Sequence, residues 1–112
     1  MPERYQVLLT QTAKEMLREI GKRYGSKTYQ TIRDLILDLE FNPAVKGQAL
    51  RHPLHGLFSV HYSRFRIIYS INQGQATVLV VAAGHHSSGQ RSDVYELVRR
   101  MVETGQLVIR PK

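Results

Sequence analysis

The chain has no cysteine. That absence excludes a disulfide framework, a thiolate metal site and a cysteine nucleophile together. It suits a reducing compartment, and the cytoplasm is the expected location. Proline is scarce, with four among 112 residues, and 42% of the chain is apolar. Both features argue for a folded chain rather than disorder. No apolar run approaches the roughly 18 residues that a membrane span needs. No apolar segment follows Met1-Pro2-Glu3-Arg4, so no secretory signal and no membrane association are expected. Acidic residues are also few, nine against 16 Lys and Arg, which leaves a net charge of +7 and a pI near 10.1. A balance this basic in so small a protein points to a polyanionic partner, nucleic acid or an acidic protein, over charge that serves solubility alone. The length allows one domain, residues 1–112, with a core but no room for a second.

What is present falls into a short series of elements. Tyr5 to Thr10 reads as a strand, and Thr10 or Thr12 can cap the helix that follows. Ala13, Met16, Leu17, Ile20 and Tyr24 form a helical stripe, ended at Gly25-Ser26. A second helix is expected from about Thr28 to Phe41, stopped by Asn42-Pro43. Ala44 to His55 reads as a linker. Two strands follow within Gly56–Ile71, then a turn at Asn72-Gln73-Gly74-Gln75. Ala76 to Ala83 is apolar without alternation, the pattern of a strand buried on both faces, and Gly84 is expected to end it. After a polar loop, Ser92 or Asp93 caps a last helix with Tyr95, Val98, Met101 and Val102 inward, closed by Gly105. The expected fold is α+β: an N-terminal strand and helical hairpin packed on a mainly antiparallel four-stranded sheet, plus a C-terminal helix.

The segment Gly56–Tyr69 carries the chemistry. Alternation puts Ser59 and His61 on one face of the first strand. It puts Arg64, Arg66, Ile68 and Ser70 on one face of the second. Phe58, Val60, Tyr62, Phe65, Ile67, Tyr69 and Ile71 form the opposite, apolar set. Paired as a hairpin, the strands line His61, Arg64 and Arg66 on one polar face, suited to a phosphodiester; the competing reading is a solvated basic face. Arg66 stands out as a cation inside an otherwise apolar strand, and a structural ion pair is its alternative explanation. The polar face is expected to be open or covered in part by the last helix. Adjacent His85-His86 are poor chelators with no carboxylate near them in sequence, so no metal site is expected.

These residues carry a resemblance. Asn42-Pro43, Leu54-His55-Gly56, Arg66-Ile67-Ile68-Tyr69, Gly84-His85 and Asp93-Val94-Tyr95 follow the opening strand and helical hairpin in order. The chain resembles the RelE/ParE superfamily of toxins from bacterial type II toxin–antitoxin modules over nearly its whole length. His52-Pro53-Leu54-His55-Gly56 is also similar to the histidine-bearing YafQ branch. The resemblance implies a ribosome-dependent endoribonuclease that cuts messenger RNA in the ribosomal A site. Its reaction is attack of a ribose 2′-OH on the adjacent phosphate, without metal or cofactor, and a cognate antitoxin blocks it. Residue by residue, Arg66 takes the place of the phosphate-clamping arginine, and Tyr95 that of a tyrosine near the scissile nucleotide. His61 and Ser59 stand where well-known members carry lysines, and His86 stands where many have an arginine, a role that Arg91 can supply instead. His61 with His85 or His86 can move protons, since an ordinary histidine titrates near neutrality. Arg66 and Arg64 can stabilise charge on the phosphorane. Tyr95 can contact base or phosphate, and His52 is a further RNA-binding candidate.

Other readings follow from the departures. The ParE branch shares the fold, lacks the ribonuclease residues and poisons DNA gyrase. The missing lysines also fit a degenerate protein that only binds antitoxin. Expected partners are the ribosome and messenger RNA, and an antitoxin whose acidic or amphipathic segment wraps the domain over its basic groove.

Overall fold

Apolar residues recurring every three or four positions build the first layer. The computed structural model describes residues 4–87, 90 and 93–108. Strand β1 (Gln6–Leu9) leads into helix α1 (Gln11–Tyr24). Thr10 is the cap: its hydroxyl accepts from the Ala13 N–H at 3.1 Å. Gly25, at φ 92°, carries the chain straight into helix α2 (Ser26–Asp38). A positive φ favours glycine there, and the joint is so tight that α2 starts two residues before the expected Thr28. Helix α2 also stops before the expected Phe41: the N–H groups of Leu39, Glu40 and Phe41 donate to carbonyls only three residues back, a turn tighter than the α-helix, and the Glu40 carbonyl accepts from the Tyr5 N–H at 2.8 Å. Ala13, Leu17 and Ile20 of α1 and Ile32 and Ile36 of α2 are buried.

Among the described residues the sheet has five strands, not four. After a short helix α3 (Pro43–Lys46) come β2 (Gln48–Ala49), β3 (Phe58–Tyr62), β4 (Phe65–Asn72) and β5 (Thr77–His85), in spatial order β1-β5-β4-β3-β2. Pairing is antiparallel except β1 with β5, which is parallel. The extra strand lies in the segment read as a linker. It is two exposed residues long, with no alternation to betray it. Strand β5 continues through Gly84 to His85.

The helical hairpin covers one face of the sheet. Its core holds Phe65, Ile67, Tyr69, Val78, Val80 and Ala83 against α1 and α2. Tyr69 is fully buried and donates its hydroxyl to the Pro43 carbonyl at 2.7 Å. Burial pushes that phenol up to about 12. Helix α4 (Val94–Glu103) covers the other face, with Val94 and Val98 packed on Leu54, Leu57, Ile68, Val81 and Ala82. The Arg66 side of the sheet is therefore roofed by the last helix over its apolar part. Among the described residues no helix is long and apolar enough to cross a membrane.

Candidate functional site

The β3–β4 hairpin closes tightly. Tyr62 pairs with Phe65, so the turn contains Ser63 and Arg64 alone, with Ser63 at φ 54°. Arg64 thus sits in the turn and not on the strand, where simple alternation had put it. It is exposed, and its carbonyl accepts from the His86 N–H at 2.7 Å. His61 lies directly opposite Arg66, and Arg66 opposite Gly84. Opposed residues share a face, so His61 and Arg66 stand side by side. The Arg66 guanidinium donates to the carbonyls of Ser63 and Phe65, each at 3.1 Å. It makes no ion pair with a carboxylate among the described residues.

Beyond the end of β5, His86 points to the same side as α4. Its ring meets Tyr95 edge-on, with centroids 4.9 Å apart. Its Nδ1 donates to Asp93 Oδ1 at 2.5 Å. Asp93 is 3% exposed and fully engaged. Oδ1 also accepts from the Ser87 N–H at 2.6 Å, and Oδ2 accepts from the N–H groups of Tyr95 and Glu96 at 2.9 and 3.2 Å. Burial by itself would raise this carboxyl. The hydrogen bond from His86, those from Ser87 and Glu96, and the charge of His86 outweigh it and hold the group below the ordinary aspartate value. An ionised carboxylate only accepts, so Nδ1 of His86 carries the hydrogen. Nε2 then has no partner among the described residues, on a side chain 34% exposed. Asp93 was legible in the sequence as a helix cap and as part of Asp93-Val94-Tyr95, not as a partner of His86. The available further signal was an acidic cap closing a loop that opens with two histidines.

Tyr95 completes this side. Its hydroxyl shares a hydrogen bond of 2.8 Å with Ser59 Oγ. Ser59 is buried and engaged there, below the surface that His61 and Arg66 present. The structure therefore gathers His61, Arg66, His86 and Tyr95 on one side of the sheet, with Arg64 at its rim.

His85 is not among them. It pairs with Phe65 across the strands and shares that residue's face, toward the helical hairpin. Its ring stacks on Tyr24, 6.3 Å between centroids, and meets Phe65 edge-on at 5.6 Å. Nδ1 lies 3.0 Å from Ser87 Oγ, and Nε2 is buried without a partner among the described residues. The cleft around it, about 440 Å³, is lined by Glu15, Glu19, Arg23 and Tyr24 of α1. His52 is exposed in the loop after β2, away from strand pairing. Arg91 lies outside the described residues. No three of the described His, Asp and Glu residues cluster as metal ligands would.

Against known proteins, the family model described as ParE toxin of type II toxin-antitoxin system, parDE, matches residues 7–89. Toxin RelG of Mycobacterium tuberculosis is 29% identical over 91 residues, 81% of this chain and 95% of that protein. Toxin RelE of the same organism is 26% identical over 87 residues, 78% and 87% of the two chains. Among solved structures, the toxin–antitoxin complex RelBE2 of Mycobacterium tuberculosis superposes with a TM-score of 0.66 at 26% identity, covering 74% of this chain and 92% of that one.

Proposed function

The chain belongs to the ParE toxin family of type II toxin–antitoxin systems, and from that premise we propose that it is a ribosome-dependent endoribonuclease that cuts translated messenger RNA. The observation that carries this reading is the placement, on one side of the sheet, of an arginine with no carboxylate partner and a histidine with no partner on Nε2 among the described residues. Arg66 holds the scissile phosphate and offsets charge as it builds on the phosphorane. His86 and His61 move the two protons. One leaves the ribose 2′-OH as its oxygen bonds to phosphorus. The other reaches the 5′-oxygen as the P–O5′ bond breaks. The products are a 2′,3′-cyclic phosphate end and a 5′-hydroxyl end. Tyr95, edge-on to His86, offers an aromatic surface for a base beside the break. Acid–base chemistry of this kind needs no metal or cofactor.

The same reading gives the chain three partners: the ribosome, its messenger RNA, and a cognate antitoxin with an acidic or amphipathic segment that masks the Arg66 side. The name of the matching family favours a second reading, a gyrase poison without ribonuclease activity. One experiment separates them. The protein is induced in a bacterial host, and a reporter transcript is mapped by primer extension. Cuts inside translated codons, lost in Arg66→Ala, support the endoribonuclease. Growth arrest with intact transcripts and filamentation supports the gyrase poison.

A further inference from the structure

We infer that Asp93 is a positioning residue for catalysis: it fixes His86 as the Nδ1–H tautomer and aims Nε2 at the reacting ribose. This rests on the endoribonuclease reading and adds to it a residue and a protonation state. The carboxylate is nearly fully buried and accepts four hydrogen bonds from the described residues. Two hold the first turn of α4. The other two reach back seven and six residues, to the His86 ring and the Ser87 N–H. A cap alone needs only the first pair. The second pair ties the imidazole to the start of α4, while the Tyr95 ring meets it edge-on. The ring cannot turn over without losing a charge-assisted hydrogen bond. Nε2 is then the ring nitrogen placed to take the proton from the 2′-OH, while His61 gives the proton that the 5′-oxygen needs as its bond to phosphorus breaks.

Asp93→Asn tests the assignment, because an amide cannot serve both pairs. With its oxygen on the α4 N–H groups, its NH2 faces His86 Nδ1 and the Ser87 N–H. It then donates to Nδ1 and moves the ring hydrogen to Nε2. Asp93→Ser is the second variant, since serine keeps a cap for α4 while removing the contact to His86. Two measurements on the full chain decide. Nitrogen-15 NMR of the neutral imidazole reads the tautomer in wild type and variants. Single-turnover cleavage on programmed ribosomes is measured for wild type, His86→Gln, Asp93→Asn and the double variant.

The expected result is an Nδ1–H tautomer in wild type, displaced in Asp93→Asn. Each single variant should lose about 100-fold in cleavage rate, the low end of what a positioned acid–base group contributes, and the double variant should lose little more. Ribosome affinity should be unchanged. An Nε2–H tautomer in wild type, or losses that multiply in the double variant, overturns the inference. A wild type that holds the Nδ1–H tautomer but cleaves nothing overturns the endoribonuclease reading itself, and the catalytic use of the dyad with it.

Discussion

Tyr69 is where the sheet, α3 and the β2 edge are locked together, and removing one oxygen there has a calculable effect. Its hydroxyl is buried and gives its hydrogen to the Pro43 carbonyl. Tyr69→Phe leaves that carbonyl buried without its donor, at a cost of about 2 kcal/mol. For 112 residues, an unfolding entropy of about 2.1 cal/mol/K per residue gives about 0.24 kcal/mol/K, so Tm should fall by about 8 °C. Gly47 makes the prediction sharper. A Cβ at that position would lie 2.1 Å from the Tyr69 hydroxyl oxygen, with the ring Cζ at 2.9 Å and the Ser59 carbonyl at 3.0 Å. Gly47→Ala should therefore cost about 2–3 kcal/mol in wild type. It should cost at least 1 kcal/mol less in the Tyr69→Phe background, where the nearest clash is gone. Thermal and urea melts of the four proteins form the cycle. Costs that add to within about 0.5 kcal/mol would refute the contact. Alkaline titration gives a second check. The folded phenol is raised to about 12 from an ordinary value of 10.0. Its stabilising contribution is complete below pH 10 and is lost between roughly pH 10 and 12, at up to about 1.4 kcal/mol per unit. Tyr69→Phe should lack that part of the alkaline slope.

Other outcomes follow from the same geometry. Asp93 has a depressed folded value, so its contribution is present above the unfolded aspartate value near 4 and is lost as pH falls through the folded one. Acid unfolding followed by circular dichroism should be flatter below about pH 4 in Asp93→Asn than in wild type. Val98→Ala, at a fully buried position of α4, should cost about 2 kcal/mol in chemical melts. It should also lower cleavage, because the helix carries both Asp93 and Tyr95. Tyr95→Phe breaks the bond to Ser59 and should cost about 1 kcal/mol; an unchanged melt would show that this bond contributes nothing. Ribosome association should weaken linearly with log salt concentration, since it rests on phosphate contacts. A salt-insensitive affinity would contradict the charge argument.

The helical hairpin was legible because α1 and α2 bury one stripe each, and the stripe is written in the sequence at a period of 3.6. The buried run of β5 was legible for the opposite reason: both its faces are covered, so it has no polar side. What escaped depends on partners distant in sequence. Strand β2 exists because Gln48 and Ala49 pair with Ser59 and Phe58, and nothing in two exposed residues announces that. The parallel docking of β1 on β5 joins Gln6 to Thr77, a choice that local patterning does not encode. Treating Gly84 as the end of a strand cut the alternation one residue too soon. Carried on, it puts His85 with Phe65 on the hairpin side and His86 with Arg66 on the α4 side. Arg64 was misplaced by the converse error, alternation carried into a two-residue turn. His61 and Arg66 were legible together because a tight hairpin sets its own register. Asp93 shows the general limit: a cap is a local signal, but the imidazole it holds comes from across a loop.

The most direct test of the central claim is single-turnover cleavage of a defined messenger on purified programmed ribosomes, with wild type, Arg66→Ala and His86→Gln at matched occupancy. The account predicts cleavage by wild type, with a 2′,3′-cyclic phosphate on the upstream fragment, and a loss of at least about 100-fold in each variant. Cleavage that survives in both variants would place the chemistry elsewhere in the fold, and no cleavage by wild type would remove it from this protein.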